Sequence, residues 1–422
     1  MTNPGNRADA PGAVTTGFGF VVLLAALSML LPVSVDVVLP AFPAMAKALH
    51  APEGMVQWTF SSFLLSFGLG QLITGALSDR HGRRPLLLAG LIVFVAASLV
   101  CSLATNVIVL VVLRFVEGAG ASVGIACARA IVRDVHSDVD RAASLQAYVA
   151  TVQTVSIMAA PLIGAAVLAI ANWRWIFGFL AAAGAVVAAA VALYLPETSP
   201  QVSEGILPGY RRVLRLPRTI PLAGFVTFAT GSYFVLLAVC PFLLANHINV
   251  PLALFGVACC MVVGNVLAGR LVRRFGAQRL AGRGVLLILL ACTANCAIEL
   301  LRPTPAGFVV TMAMFAFSLG MGMPNIFAAA LVDAGADAGA ASGIMGSLQM
   351  VGGAVITWIV TALPWKLATS TGFLVLVCGL TAASSYRWSC VRKGTVQPAA
   401  RQENATSMPL ALAASEHSEA GG

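Results

Sequence analysis

The 422-residue sequence predicts an all-α polytopic membrane protein, with twelve transmembrane helices in two six-helix pseudo-repeats. Three observations carry that prediction. Hydrophobic residues make up 59% of the chain and charged residues 10%, with a mean hydropathy of +0.92; a soluble domain is nearer a quarter charged. Apolar stretches of about 20 residues recur along the whole length, which is what a helix needs to cross a bilayer. Lys and Arg gather in alternate connections: twenty of the 25 fall on one side, four on the other, and Arg114 lies inside a span. The short alternating segments of a transmembrane barrel are not seen.

The elements follow in order. Residues 1–16 are polar, with one Arg and one Asp, and lack the basic start and small-residue cleavage site of a secretory leader. They read as a cytoplasmic N-terminal segment ahead of a retained first helix. The N-terminal six-helix bundle, 17–195, has spans at 17–40, 55–77, 86–104, 107–132, 142–170 and 173–195. A polar, basic stretch, PETSPQVSEGILPGYRRVLRLPR, marks a cytoplasmic linker at 196–219. The C-terminal bundle, 220–388, has spans at 220–245, 252–271, 284–301, 306–332, 340–363 and 366–388. Residues 389–422 read as a disordered cytoplasmic tail. The basic connections put both termini in the cytoplasm.

The net charge of +9 is accounted for by these basic inner connections, so no nucleic-acid partner is expected. The nine cysteines lie mostly within apolar segments and show no metal or redox spacing; Cys259 and Cys260 read as plain apolar positions. No cofactor, metal or nucleophile signature is present, and no soluble connection is long enough to hold a catalytic domain. An enzyme or a receptor is therefore not expected.

An internal repeat supports the two-bundle plan. GALSDRHGRRP, 75–85, follows the second span, and GRLVRRFGAQR, 269–279, follows the eighth. They share Gly75/Gly269, Leu77/Leu271, Arg80/Arg274 and Gly82/Gly276 at equivalent places in each half. GALSDRHGRRP also resembles the G-x-L-x-D-R-x-G-R-R/K signature of the major facilitator superfamily, carried by Gly75, Asp79, Arg80, Gly82, Arg83 and Arg84. That resemblance implies a latch closing the cytoplasmic side, with Arg133 of ARAIVRD as a partner for Asp79. MAAPLIGAA, 158–166, resembles the fifth-helix motif of the family's antiporters at Pro161 and Gly164, with Ala160 and Ala165 replacing glycines. DVVLPAFPAM, 36–45, and LRFVEGAGASVGIACARAIVRD, 113–134, resemble bicyclomycin/chloramphenicol-type drug:proton antiporters of bacterial inner membranes. The resemblance is strongest in the first half and diffuse after residue 220.

Ionisable residues within spans are costly, so the few present are functional candidates. Asp36 sits ~6 Å below the outer end of the first span, and Arg114 ~10 Å below the same surface in the fourth. At similar depths they can neutralise each other, directly or through water. Glu117, ~15 Å deep, is either a second proton site or the group that satisfies Arg114. Glu299, three residues before Arg302, reads as half of an outer-surface pair. Neutral polar residues of the second half, Tyr233, Asn265, Asn325 and Gln349, are either helix-packing groups or lining for a substrate cavity. The Met- and Phe-rich stretch 311–327 suits adaptable apolar recognition or plain core packing.

Together these features imply a monomeric, proton-coupled efflux transporter in the bilayer, exporting small amphipathic drug-like molecules. The coupling residues are Asp36, Arg114 and Glu117, with no cofactor. The alternative is a symporter or facilitator for a metabolite or nutrient.

Overall fold

A computed structural model describes residues 18–135, 139–197, 206–245, 247–363 and 367–406. Among the described residues the regular structure is helical. The first half contains α1 (Phe18–Asp36), α2 (Phe42–Ala48), α3 (Glu53–His81), α4 (Arg83–Ser102), α5 (Val107–Val135), α6 (Val139–Ile170) and α7 (Arg174–Tyr194). The short α8 (Ile206–Arg215) links it to the second half: α9 (Thr219–Leu244), α10 (Val250–Phe275), α11 (Ala277–Leu301), α12 (Pro305–Ala334), α13 (Ala338–Ala362) and α14 (Leu367–Thr406).

Ten of the helices are long and apolar enough to cross a membrane, and α1 with α2 makes an eleventh if that bent pair is one span. The expected count of twelve is therefore not reached on apolarity. The exception is α3, whose 29 residues include Gln57, Ser61, Ser62, Ser66, Gln71 and Thr74. Length is not what it lacks, since 29 residues rise ~43 Å. Two of its polar groups bond to other helices: Ser62 donates to the Val111 carbonyl at 3.0 Å and Gln57 to the Ala238 carbonyl at 3.2 Å.

Other boundaries shift as well. The first span ends at Asp36, not residue 40, and Leu39–Ala41 forms a 3-10 turn leading into α2. Pro43 lies in the first turn of α2, where a proline gives up no helical hydrogen bond. Residues 389–406, expected as disordered tail, continue α14. The linker contributes α8, with Val213 buried against Ala341 and Ile344 of α13. The N-terminal segment 1–16 and residues 407–422 lie outside the described residues.

The repeat is visible in three dimensions. α3 runs to His81, turns at Gly82 (φ 92°), and α4 starts at Arg83. α10 runs to Phe275, turns at Gly276 (φ 79°), and α11 starts at Ala277. Only glycine takes this backbone freely. What reads as a loop at 75–85 is thus a one-residue break, with Gly75, Asp79 and Arg80 on α3 and Arg83 and Arg84 on α4.

Packing obeys the same two-fold relation. α5 leaves no room for a side chain at Gly118, which meets α3, or at Gly120, which meets α4. Its counterpart α12 does the same at Gly320 against α10, and on α11 Gly284 has no room for a side chain where it meets Gly322 of α12. The halves join along α3–α13 and α6–α10. These pairs exchange when the second and eighth spans, and the fifth and eleventh, are interchanged.

Candidate functional site

A cavity of about 330 Å³ lies where the two halves meet. The first half lines it with Pro32, Val35 and Asp36 of α1, Leu64 of α3 and Ile157 of α6. The second half lines it with Thr230, Tyr233, Phe234 and Leu237 of α9, Met261 and Asn265 of α10, Leu319, Gly320, Met323, Pro324 and Phe327 of α12, and Gln349 and Met350 of α13. Asp36 is the one acidic or basic side chain in this wall. It is 8% exposed and forms no ion pair among the described residues.

The local fold explains why Asp36 faces the cavity. It is the last residue of α1, where the chain leaves the helix. Gly164 of α6 stands against the Val37 carbonyl with no space for a Cβ. A helix can approach a backbone that closely only where it carries no side chain. Pro161, one turn earlier, is buried and supplies no N–H to the Ile157 carbonyl. The segment 158–166 thus packs on the α1 break next to Asp36.

Arg114 is placed differently from the expectation that it neutralises Asp36. Its Nη1 donates to Glu117 Oε2 at 2.8 Å, and the two side chains are 1% and 0% exposed. Its Nη2 donates to the Ser34 carbonyl at 3.1 Å, two residues before Asp36. The guanidinium stacks over Phe63 at 4.2 Å from the ring centre. Glu117 Oε1 accepts from Ser98 Oγ at 2.9 Å. The pair belongs to the packing between α4, α5 and the end of α1, and neither residue lines the cavity. An i,i+3 partner on its own helix pairs with Arg114 Nη1 without the side chain crossing to the front of α1.

Of the second-half candidates, Tyr233, Asn265 and Gln349 line the cavity and Asn325 does not. Asn325 Nδ2 donates to the Met321 carbonyl at 3.0 Å within its own helix. Tyr233 stacks on Phe315, with planes 4° apart. Glu299 is buried beside Gly372 of α14 and not paired with the exposed Arg302, because α14 packs over that face of α11.

One end of the molecule, opposite the 75–85 junction, is closed by aromatic contacts between halves. Phe60 meets Phe234 edge-on at 5.7 Å, Phe42 lies 6.0 Å from Phe242, and Trp58 lies 6.4 Å from Trp358. Trp58 Nε1 also donates to Thr361 Oγ1 at 2.9 Å. At the basic end, Tyr210 OH donates to the Leu72 carbonyl at 3.1 Å and Arg129 Nη1 to Ser342 Oγ at 3.3 Å.

The 75–85 junction is held by a residue that sequence reasoning missed. Glu197 accepts from the backbone N–H of Arg83 at 2.8 Å and of Arg84 at 3.2 Å, filling the first turn of α4. Arg83 Nη1 donates to Ser78 Oγ at 2.7 Å, and Arg84 Nη2 to the Ala192 carbonyl at 2.7 Å. Arg80 is exposed. The side chains of Asp79 and Arg133 lie outside the described ones, as does their expected pairing. The signal for Glu197 was an acid at the end of the sixth span, ready to meet a helix N-terminus.

Comparisons agree with this architecture. A model described as Major Facilitator Superfamily matches residues 17–357. Multidrug resistance protein D of Escherichia coli is 30% identical over 361 residues, covering 81% of this chain and 88% of the relative. A chloramphenicol resistance protein of Pseudomonas aeruginosa is 30% identical over 308 residues, covering 69% and 71%. A D-xylose-proton symporter superposes with a TM-score of 0.73 at 14% identity, covering 88% and 97%. At that identity the structural likeness concerns the fold alone.

Proposed function

The chain belongs to the major facilitator superfamily, a transport protein and not an enzyme, and from that premise we propose that it exports small amphipathic, drug-like molecules in exchange for protons. The observation that carries the reading is the lone carboxylate, Asp36, in a mainly apolar and aromatic cavity between the halves. Two relatives named for drug resistance, each 30% identical, support the substrate class.

The proposed mechanism is competition. A carboxylate in a partly dry cavity is either protonated or balanced by a bound cation or polar group, since an isolated buried charge is expensive. A substrate that covers Asp36 displaces its proton, and a returning proton releases the substrate. Arg114, held by Glu117, puts no fixed positive charge in the wall, so neutral and cationic amphiphiles suit it better than anions. Tyr233, Phe234, Phe327, Met261 and Met323 offer adaptable apolar surface, and Asn265 and Gln349 offer hydrogen bonds.

We take α3 as a crossing too, giving twelve, with the basic ends and both termini in the cytoplasm of a bacterial inner membrane. The 75–85 junction serves as the inner latch, with Asp79 and Arg133 as its ion pair. The aromatic closure at the opposite end parts to release substrate. The working unit is a monomer in the bilayer, without a cofactor.

Purified protein should release protons when given a substrate identified by a resistance screen, and Asp36→Asn should fold but release none. Wild-type release from Asp36→Asn would refute the assignment. Proton uptake with substrate entry would point to a symporter.

A further inference from the structure

Pro32 sits inside α1, one turn before Asp36, and lines the cavity. A proline has no N–H for the carbonyl four residues earlier, and its ring pushes that carbonyl aside. The carbonyl in question belongs to Ser28, which is 1% exposed. Left alone there, it would be an unsatisfied acceptor in a medium without water. Gln153 of α6 answers it, donating from Nε2 to Ser28 O at 2.9 Å.

The contact is one of three made to the backbone of α1 and the residue just beyond it. Going up α1, Gln153 holds Ser28, Arg114 holds Ser34, and Gly164 abuts Val37. The Gln153 contact and the Gly164 packing both come from α6, and Ile157, between them on α6, lines the cavity. Gln153 is therefore placed to tie the shape of α1 around Pro32 to the position of α6.

We propose that Gln153 is a positioning residue for Asp36: its amide replaces the N–H that Pro32 lacks and sets the direction in which the end of α1 carries the carboxylate. This rests on Asp36 being the coupling group. Gln153 touches neither substrate nor proton in this scheme. It acts through the Ser28 carbonyl and the run of helix above it.

The charged and titratable groups around Asp36 are few. Tyr233 of α9 shares the cavity wall, and Arg114 and Glu117 of α5 are bound to each other behind α1. The described side chains of α6 include none. Arg174, at the start of α7, is turned to the Ala104 carbonyl at 3.0 Å. A change in the pH dependence of coupling on altering Gln153 thus reports a moved Asp36, not the loss of a charge.

The test is a double-mutant cycle on purified full-length protein, reading the pH midpoint of substrate-induced proton release. Gln153→Leu should shift the midpoint by ~0.5 unit or more. In the Pro32→Ala background, where residue 32 again has an N–H for Ser28, the same change should shift it by under ~0.2 unit. Equal shifts in both backgrounds, or none in either, overturn the proposal. Thermal unfolding of the same four proteins provides a second readout, expected to show the same non-additivity. Asp36→Asn run alongside separates the failures. If it still releases protons, the coupling assignment falls, and the unfolding cycle alone decides whether Gln153 stands in for the missing N–H. If it releases none and Gln153→Leu behaves as wild type, the positioning role alone falls.

Discussion

Arg114 and Glu117 are bonded at 2.8 Å, one turn apart on α5, and both side chains are cut off from the cavity and from solvent. A buried pair is costly to break from one side, because the remaining charge has no water to turn to; such losses run about 3–5 kcal/mol. Glu117→Leu should therefore lower the unfolding temperature sharply and reduce the yield of membrane-inserted protein. Replacing both, as Arg114→Leu with Glu117→Leu, should restore much of the stability. Thermal unfolding in detergent of the two singles and the double measures this. A stable Glu117→Leu protein would show that Arg114 has another anchor.

Gly164 is predicted to tolerate no side chain. Its Cβ would fall on the Val37 carbonyl, which is backbone and cannot rotate away. Gly164→Ala should cost about 1–3 kcal/mol by overpacking and displace the α1 break with Asp36. Efflux measured in vesicles should fall more than the amount of folded protein. Gly178→Ala is the control, since the nearest atom there is a Trp175 ring carbon at 3.7 Å.

Glu197 is expected to stabilise the 75–85 junction through the start of α4. Removing a capping acceptor costs roughly 0.5–2 kcal/mol, towards the low end for an exposed site. Glu197→Ala should lower the unfolding temperature slightly and speed tryptic cleavage after Arg83 in inside-out vesicles. Unchanged cleavage would mean that the arginine side-chain bonds hold the junction by themselves.

The linker is expected to hold through neutral pH and to loosen only in acid. Arg212 donates from Nη2 and Nε to the two carboxylate oxygens of Asp337 at 2.7 and 2.8 Å, and this hydrogen bonding holds the Asp337 carboxyl below the ordinary carboxylate range. A carboxyl lowered on folding contributes stability above its unfolded value, and that contribution is lost as pH falls through the folded one. Tryptic cleavage at Arg211 and Arg212 should thus be constant from pH 8 to 5 and rise only below ~4, assayed by acid pulse and return. Asp337→Asn should remove the acid step. Salt should weaken the contact, because the pair is exposed.

Much of the architecture was legible in one dimension. Apolar runs located every long helix, and the matched glycines Gly82 and Gly276 marked the same turn in both halves. Asp36 was conspicuous because a carboxylate in an apolar span is rare, and Tyr233, Asn265 and Gln349 for milder versions of that reason. The misreadings share a cause. Arg114 lies in the expected helix, yet it bonds Glu117 and the Ser34 carbonyl and not Asp36. The span expected over 17–40 puts Asp36 one turn inside its helix, whereas it is the last residue of α1. Glu197 and Gln153 act on backbone groups far away in sequence, at separations of 114 and 125 residues.

By itself, then, the sequence determined the class of molecule, the order of its long helices, the two-fold plan and the basic end. These depend on composition, on segment length and on local backbone chemistry, all of which a linear chain displays. Only the tertiary structure decided which side chains share a space. A helix in lipid can be apolar on every face, so its own pattern scarcely sets its rotation. That rotation is set by close packing at positions such as Gly118, Gly164 and Gly320, and by single polar bonds to distant carbonyls. It is this that leaves Asp36 on the cavity and turns Arg114 away from it.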